Sequence, residues 1–116
     1  MWELSLIHPS KVVASFPKGD LLPLGDRATV VTTLSKLYPA FRFPAYPKFP
    51  NMGTITEEDY HLDFTIPNTE PIVMIGIDVY EGEKAIVLQL LHPLCELTQW
   101  RLLDLTRGEL LNLETV

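Results

Sequence analysis

Tyr60-His61-Leu62-Asp63-Phe64-Thr65-Ile66, the turn Pro67-Asn68-Thr69-Glu70, and then Ile72-Val73-Met74-Ile75-Gly76-Ile77-Asp78-Val79 form the stretch that decides the fold. In the first segment Tyr60, Leu62, Phe64 and Ile66 alternate with Asp59, His61, Asp63 and Thr65, the period-2 pattern of a strand with one dry and one wet face. The second segment is nearly all apolar. That is expected of a central strand covered on both faces, or of one whose second face meets a partner. Glu81-Gly82 ends it. What flanks this hairpin fixes the fold class.

Upstream, Asp26 caps a helix in which Val30, Val31, Leu34, Leu37 and Tyr38 form one stripe at helical spacing, and Pro39 stops it. Downstream, a second helix runs from Glu83 with Ile86, Val87, Leu90, Leu91, Leu94 and Leu97 on its buried side. Pro93 removes one backbone hydrogen bond there and is expected to kink the helix or end it early. Trp2, Leu4 and Leu6 alternate with Glu3 and Ser5 in a first strand that ends at His8-Pro9. From Pro9 to Gly25, the Pro and Gly residues at 9, 17, 19, 23 and 25 predict a structured loop, with at most a short extended piece over Lys11 to Phe16. At the other end, Trp100 to Leu105 reads as a strand, Thr106-Arg107-Gly108 as a tight turn and Glu109 to Leu113 as its hairpin partner. The order strand, helix, strand, strand, helix, strand predicts an α+β domain over residues 1–116. Its expected form is a ferredoxin-like β-α-β-β-α-β plait with an added C-terminal hairpin strand and both helices on one face of an antiparallel sheet.

At 116 residues the chain is long enough for one hydrophobic core and too short for two. Its apolar fraction of 47% excludes a disordered chain. Ten prolines, against a usual share of about 5%, predict rigid irregular segments, and Pro39 to Pro50 is the densest of them. Pro44, Pro47 and Pro50 have the polyproline II period, but Phe41, Phe43, Tyr46 and Phe49 stand between them. Left in solvent those rings would form a large apolar patch, so the arm is expected to fold back over the domain's own core. Cys95 is the only cysteine, which fits a reducing compartment, and no run of basic then apolar residues resembles a signal. A cytoplasmic protein with no membrane association is expected.

Charge is unevenly divided. Residues 1–50 hold six Lys/Arg against three Asp/Glu, and residues 51–116 hold three against twelve. Such a field repels nucleic-acid phosphates and attracts cationic partners. Glu57-Glu58-Asp59-Tyr60 sets three carboxylates beside an aromatic anchor, and Asp63 and Asp78 extend the acidity, so these six residues are the expected partner-binding set.

Catalytic chemistry has little to stand on. His61 and Asp63, with Asp59, share one side of a strand and are close enough for acid-base work, but period-2 polarity alone explains them as a solvated face. His92 and Cys95 stand at i, i+3, yet Cys95 lies among leucines with no electropositive setting to activate it. No phosphate loop, nucleophile elbow or zinc signature occurs, so no catalytic residue, cofactor or metal is assigned.

Ile75-Gly76-Ile77-Asp78-Val79, the Leu-rich helix, then Gln99-Trp100-Arg101-Leu102-Leu103-Asp104 and Gly108-Glu109-Leu110-Leu111, within residues 70–113, resemble small bacterial immunity proteins of polymorphic toxin systems. The resemblance implies a non-enzymatic domain that binds a cognate toxin and blocks its active site. A basic toxin is the partner this implies. The alternative is a small-molecule-binding or sensory homodimer joined through the second apolar face of Ile72 to Val79.

Overall fold

In the computed structural model, which describes residues 1–112, the chain runs through β1 (Trp2–Val13), β2 (Phe16–Leu22), α1 (Arg27–Leu37), β3 (Met52–Glu57) and β4 (Tyr60–Thr65). It continues through β5 (Ile75–Glu81), α2 (Lys84–Thr98), β6 (Arg101–Asp104) and β7 (Glu109–Leu110). Every strand pairing is antiparallel. The sheet order is β3-β4-β5-β1-β6-β7, and β2 pairs with the outer half of β1. The α+β class, the antiparallel sheet and the two helices agree with the sequence reading. The expected strand end at Leu113 lies outside the described residues.

Two strands depart from that reading. β1 does not stop at Pro9 but runs to Val13, turns at Ala14-Ser15 and returns as β2. Prolines are tolerated at bulges and on edge strands. Here Pro9 borders the register shift between Pro9 and Lys11, and Pro17 lies on β2, which pairs only with β1. Gly19, with φ 78°, supplies the left-handed residue at the same irregularity. The second unforeseen strand is β3. Glu57 closes it, Glu58-Asp59 form the tight turn, and Tyr60 opens β4, so the acidic run is a hairpin turn rather than the start of a strand.

Register explains the core. Trp2, Val79, Leu62 and Ile55 form one cross-strand row, and Leu4, Ile77, Phe64 and Gly53 form the next. Leu6 lies between Ile75 and Leu102. These side chains form one buried cluster with Val30 and Leu34 of α1 and Val87, Leu91 and Leu94 of α2, so both helices cover the same face. β5 is therefore not apolar on both sides. Ile75, Ile77 and Val79 point into the core, while Gly76 and Asp78 point the other way.

α1 begins as read, with the Asp26 carboxylate accepting from the Thr29 N–H at 2.7 Å. α2 continues through Pro93 to Thr98, beyond the expected break. Leu94 and Cys95, buried on the far side of the proline, hold the last turns against the core. β6 and β7 are joined by a turn organised around buried Asp104, whose carboxylate accepts from the Thr106 N–H at 3.0 Å and from the Trp2 indole N–H at 3.2 Å. No helix among the described residues is long and apolar enough to cross a membrane.

The proline-rich arm folds back over the domain. Phe41 is buried and meets Phe64 edge-on at 5.7 Å, and Arg42 pairs with Thr54 of β3 through the backbone. The Arg27 guanidinium lies 4.8 Å from the Phe43 ring centroid and donates to the Pro50 carbonyl at 2.6 Å. Phe49 remains exposed. Phe41 fits only because residue 53 is glycine, since a Cβ there would stand 2.7 Å from its ring. Gly53→Ala is expected to destabilise by about 1–3 kcal/mol in urea unfolding, the usual range for overpacking. Phe41→Leu in that background should recover part of the loss; no loss on the first substitution would contradict this packing.

Candidate functional site

The face away from the helices carries the chemistry. Pairing aligns Thr54 of β3, Asp63 of β4, Asp78 of β5 and Glu3 of β1 into one row across four strands. Leu105, whose N–H donates to the Glu3 carbonyl at 3.1 Å, continues the row beyond β1. Three carboxylates thus stand on consecutive strands in direct opposition, an arrangement that destabilises a sheet unless something compensates it.

Compensation is supplied at one end only. Asp63, 6% exposed, accepts a hydrogen bond from the Tyr46 hydroxyl at 2.8 Å, and His61 Nε2 lies 3.1 Å from the same oxygen. Tyr46 comes from the proline-rich arm, which therefore covers the β4 end of this face. Asp78 has no hydrogen bond or ion pair to its carboxylate among the described residues. Partial burial, and then the charges of Glu3 and Asp63, push its carboxyl above the ordinary aspartate value. Tyr80, 51% exposed, lies 5.5 Å from the His61 ring. Alternation along β5 puts Tyr80 on the same side as Asp78, and its hydroxyl is pushed up by desolvation, and then by the charges of Asp78, Asp63 and Glu3. No Lys or Arg forms an ion pair anywhere among the described residues. The middle of the row is an acidic strip without a counter-cation, bordered by the exposed side chains of Tyr80 and Leu105.

The six residues expected from sequence divide among three places. Glu57, Glu58 and Asp59 form the exposed β3–β4 turn. Tyr60 points to the helix side and packs against the core, its hydroxyl raised by burial and then by Glu57 and Asp59. Asp63 and Asp78 face each other in mid-sheet. The polar side of β4 is not simply solvated, because Tyr46 and His61 hold Asp63 in a buried network. Asp59 lies outside that network, in the turn.

Sequence reasoning missed Glu3, Tyr46 and Tyr80. Glu3 was visible as a polar position in an alternating strand, but nothing local said that it would oppose Asp78. Cys95 is buried, and burial pushes its thiol up to about 12, with Arg101 opposing the shift only in part. His92 pairs with Glu96 at 3.5 Å, one turn along α2. Among the described residues no group of three or more His, Cys, Asp or Glu side chains is arranged to hold a metal ion. The larger clefts lie elsewhere: one of about 530 Å³ beside Cys95 and Trp100, and one of about 630 Å³ beside Trp2 and Lys84 that meets the acidic strip only at Tyr80. No protein-family model, curated protein or solved structure matches this chain.

Two substitutions separate the ends of the row. Tyr46→Phe removes a hydroxyl donor from a buried carboxylate and is expected to cost about 1–3 kcal/mol. Asp78→Asn should act in the opposite sense. The Asp78 carboxyl is raised in the folded protein, so the unfolded chain ionises first, and ionised Asp78 lowers stability once pH rises through its folded value. Thermal unfolding should show the asparagine variant more stable than the parent at pH 7. That gain should fade as pH falls through the raised folded value and vanish well below 3.8, where both states are protonated. A loss of stability at pH 7 would contradict the assignment.

Proposed function

We propose that this chain is a non-enzymatic protein-binding domain that takes a cationic partner on the open face of its sheet, as an immunity or inhibitor protein takes a toxin. The observation that carries this reading is the row Glu3-Asp78-Asp63, in which Asp63 is held by Tyr46 and His61 while Glu3 and Asp78 oppose each other with no Lys, Arg or His among the described residues to offset them. Serine or threonine at those positions would suit a solvated sheet at less cost. A lysine or arginine from a partner turns the repulsion into attraction, and Tyr80 and Leu105 supply apolar contact around it.

The fold is consistent with that use. We read β4-β5-β1-β6 with two helices on one face as a ferredoxin-like plait, widened by β3 and β7 and continued by the β1–β2 hairpin. Such a plait leaves its second face for a partner. Glu57, Glu58 and Asp59 sit at one end of the sheet and enlarge the field that steers a basic protein, a nuclease-like toxin being the natural case. Asp63 binds groups of its own chain, and the buried thiol is inert, which supports a binding role rather than catalysis. A single unpaired cysteine fits the cytoplasm. For a sensory homodimer joined through a second apolar face of Ile72 to Val79, β5 itself offers only Gly76 and Asp78 on that side, with exposed Val73 and Met74 preceding the strand.

Co-expression with the product of the adjacent gene, followed by titration calorimetry of the isolated pair, tests this. A stable complex is expected, weakened about 100-fold or more by Glu3→Lys with Asp78→Lys, since each replaces attraction by like-charge repulsion. Lysines at Glu57, Glu58 and Asp59 should mainly slow association, and the slowing should fade as salt shortens the Debye length below about 8 Å. Unchanged affinity and unchanged salt dependence in both variants would overturn the proposal.

A further inference from the structure

The β1–β2 hairpin presents the opposite charge. Lys11 and Lys18 are direct cross-strand partners, and like charges placed opposite one another in a sheet cost stability. Neither has an ion pair among the described residues. Two residues nearer the turn, on the same side of the hairpin, Val13 faces Phe16, and these apolar side chains are 54% and 51% exposed. The outer edge of β2 does not invite an added strand, because Pro17 has no N–H to donate and Gly19 breaks the extended conformation. A partner therefore meets the side chains of this hairpin rather than its edge. It should offer carboxylates interspersed with apolar groups.

One such surface is already on the molecule, where Glu3 and Asp78 are bordered by Tyr80 and by Leu105, 47% exposed. We propose that two copies of this chain associate by seating the Lys11-Lys18-Val13-Phe16 side of each hairpin on the Glu3-Asp78-Tyr80-Leu105 strip of the other. Alternation puts Glu3, Ser5, Ile7 and Lys11 on one side of β1, and because Ser5 and Ile7 are each 1% exposed, Glu3 and Lys11 belong to two separate exposed patches towards the two ends of the strand. A two-fold axis relating the two patches makes both contacts at once and closes the assembly as a dimer. The inference rests on the reading of the open face as a site for cationic groups. It adds that the protein's own hairpin occupies that site until a partner displaces it.

Sedimentation equilibrium of the purified protein, over a wide concentration range at about 50 mM and about 500 mM salt, tests the dimer. Concentration-dependent dimerisation at low salt is expected, weakened about 10-fold or more at high salt. Lys11→Glu with Lys18→Glu should abolish it, as should Glu3→Lys with Asp78→Lys. Combining all four substitutions should restore it, which also shows that the reversed side chains permit folding. A monomer at every concentration at low salt, or failure of the combined variant to regain the dimer, would overturn the inference. A monomer that still binds a basic partner through Glu3 and Asp78 would overturn the dimer alone and leave the proposed function standing.

Discussion

An antiparallel sheet has two faces, and helices cover only one of them here. Everything else in the molecule follows from how the second face is managed. The dry face is settled by Leu4 and Leu6 of β1, held between β5 and β6 and covered by Val30, Leu34, Val87 and Leu91. Because side chains alternate, that commitment sends Glu3 and Ser5 to the other side. Pairing with β5 then brings Asp78 opposite Glu3, and pairing of β5 with β4 brings Asp63 opposite Asp78. The row of acids is thus a geometric consequence of the same register that buries the core.

The chain neutralises this row incompletely. At the β4 end, the arm between α1 and β3 delivers Tyr46 to Asp63, and the arm is held there by Phe41 beneath Gly53 and by Arg27 on the Pro50 carbonyl. At the other end, β1 curls into its hairpin, and the Leu110 N–H donates to the Ser15 carbonyl at 2.7 Å, which ties the hairpin turn to β7. Between them Asp78 and Glu3 remain, with Tyr80 and Leu105 beside them. Stability alone does not call for an acid at position 78, since a carboxyl whose pKa is raised by partial burial, and then by the charges of Glu3 and Asp63, works against the folded state at neutral pH. A binding surface does call for one, and functional surfaces commonly give up stability for function.

Much of this was legible in the sequence because it depends on local pattern. The Asp26 cap and the stripe Val30, Leu34, Tyr38 announce α1, and the alternation around Leu62 and Phe64 announces β4. β2 and β3 were hidden for a local reason as well. Pro17 and Gly19 look like loop residues until an edge and a bulge give them a place, and Met52–Glu57 has Ile55 as its only aliphatic β-branched residue, with Gly53 close by. The acidic strip was half legible. Asp63 and Asp78 lie in segments whose strand character is plain, but their partners Glu3 and Tyr46 come from positions far along the chain. Strand order decides such neighbours, and strand order is set by non-local packing that no short window contains.

Glu3 and Asp78 have no cation from their own chain among the described residues. Titration of the Asp78 side-chain carboxyl by carbon-detected NMR, in the monomer carrying Lys11→Glu and Lys18→Glu, measures this directly. A midpoint above the ordinary 3.8 is expected, one that moves down when Glu3 is replaced by glutamine. A midpoint at or below 3.8 in that monomer would mean that the strip is compensated within the chain, and the reading of this face as a site for a cationic partner would fall with it.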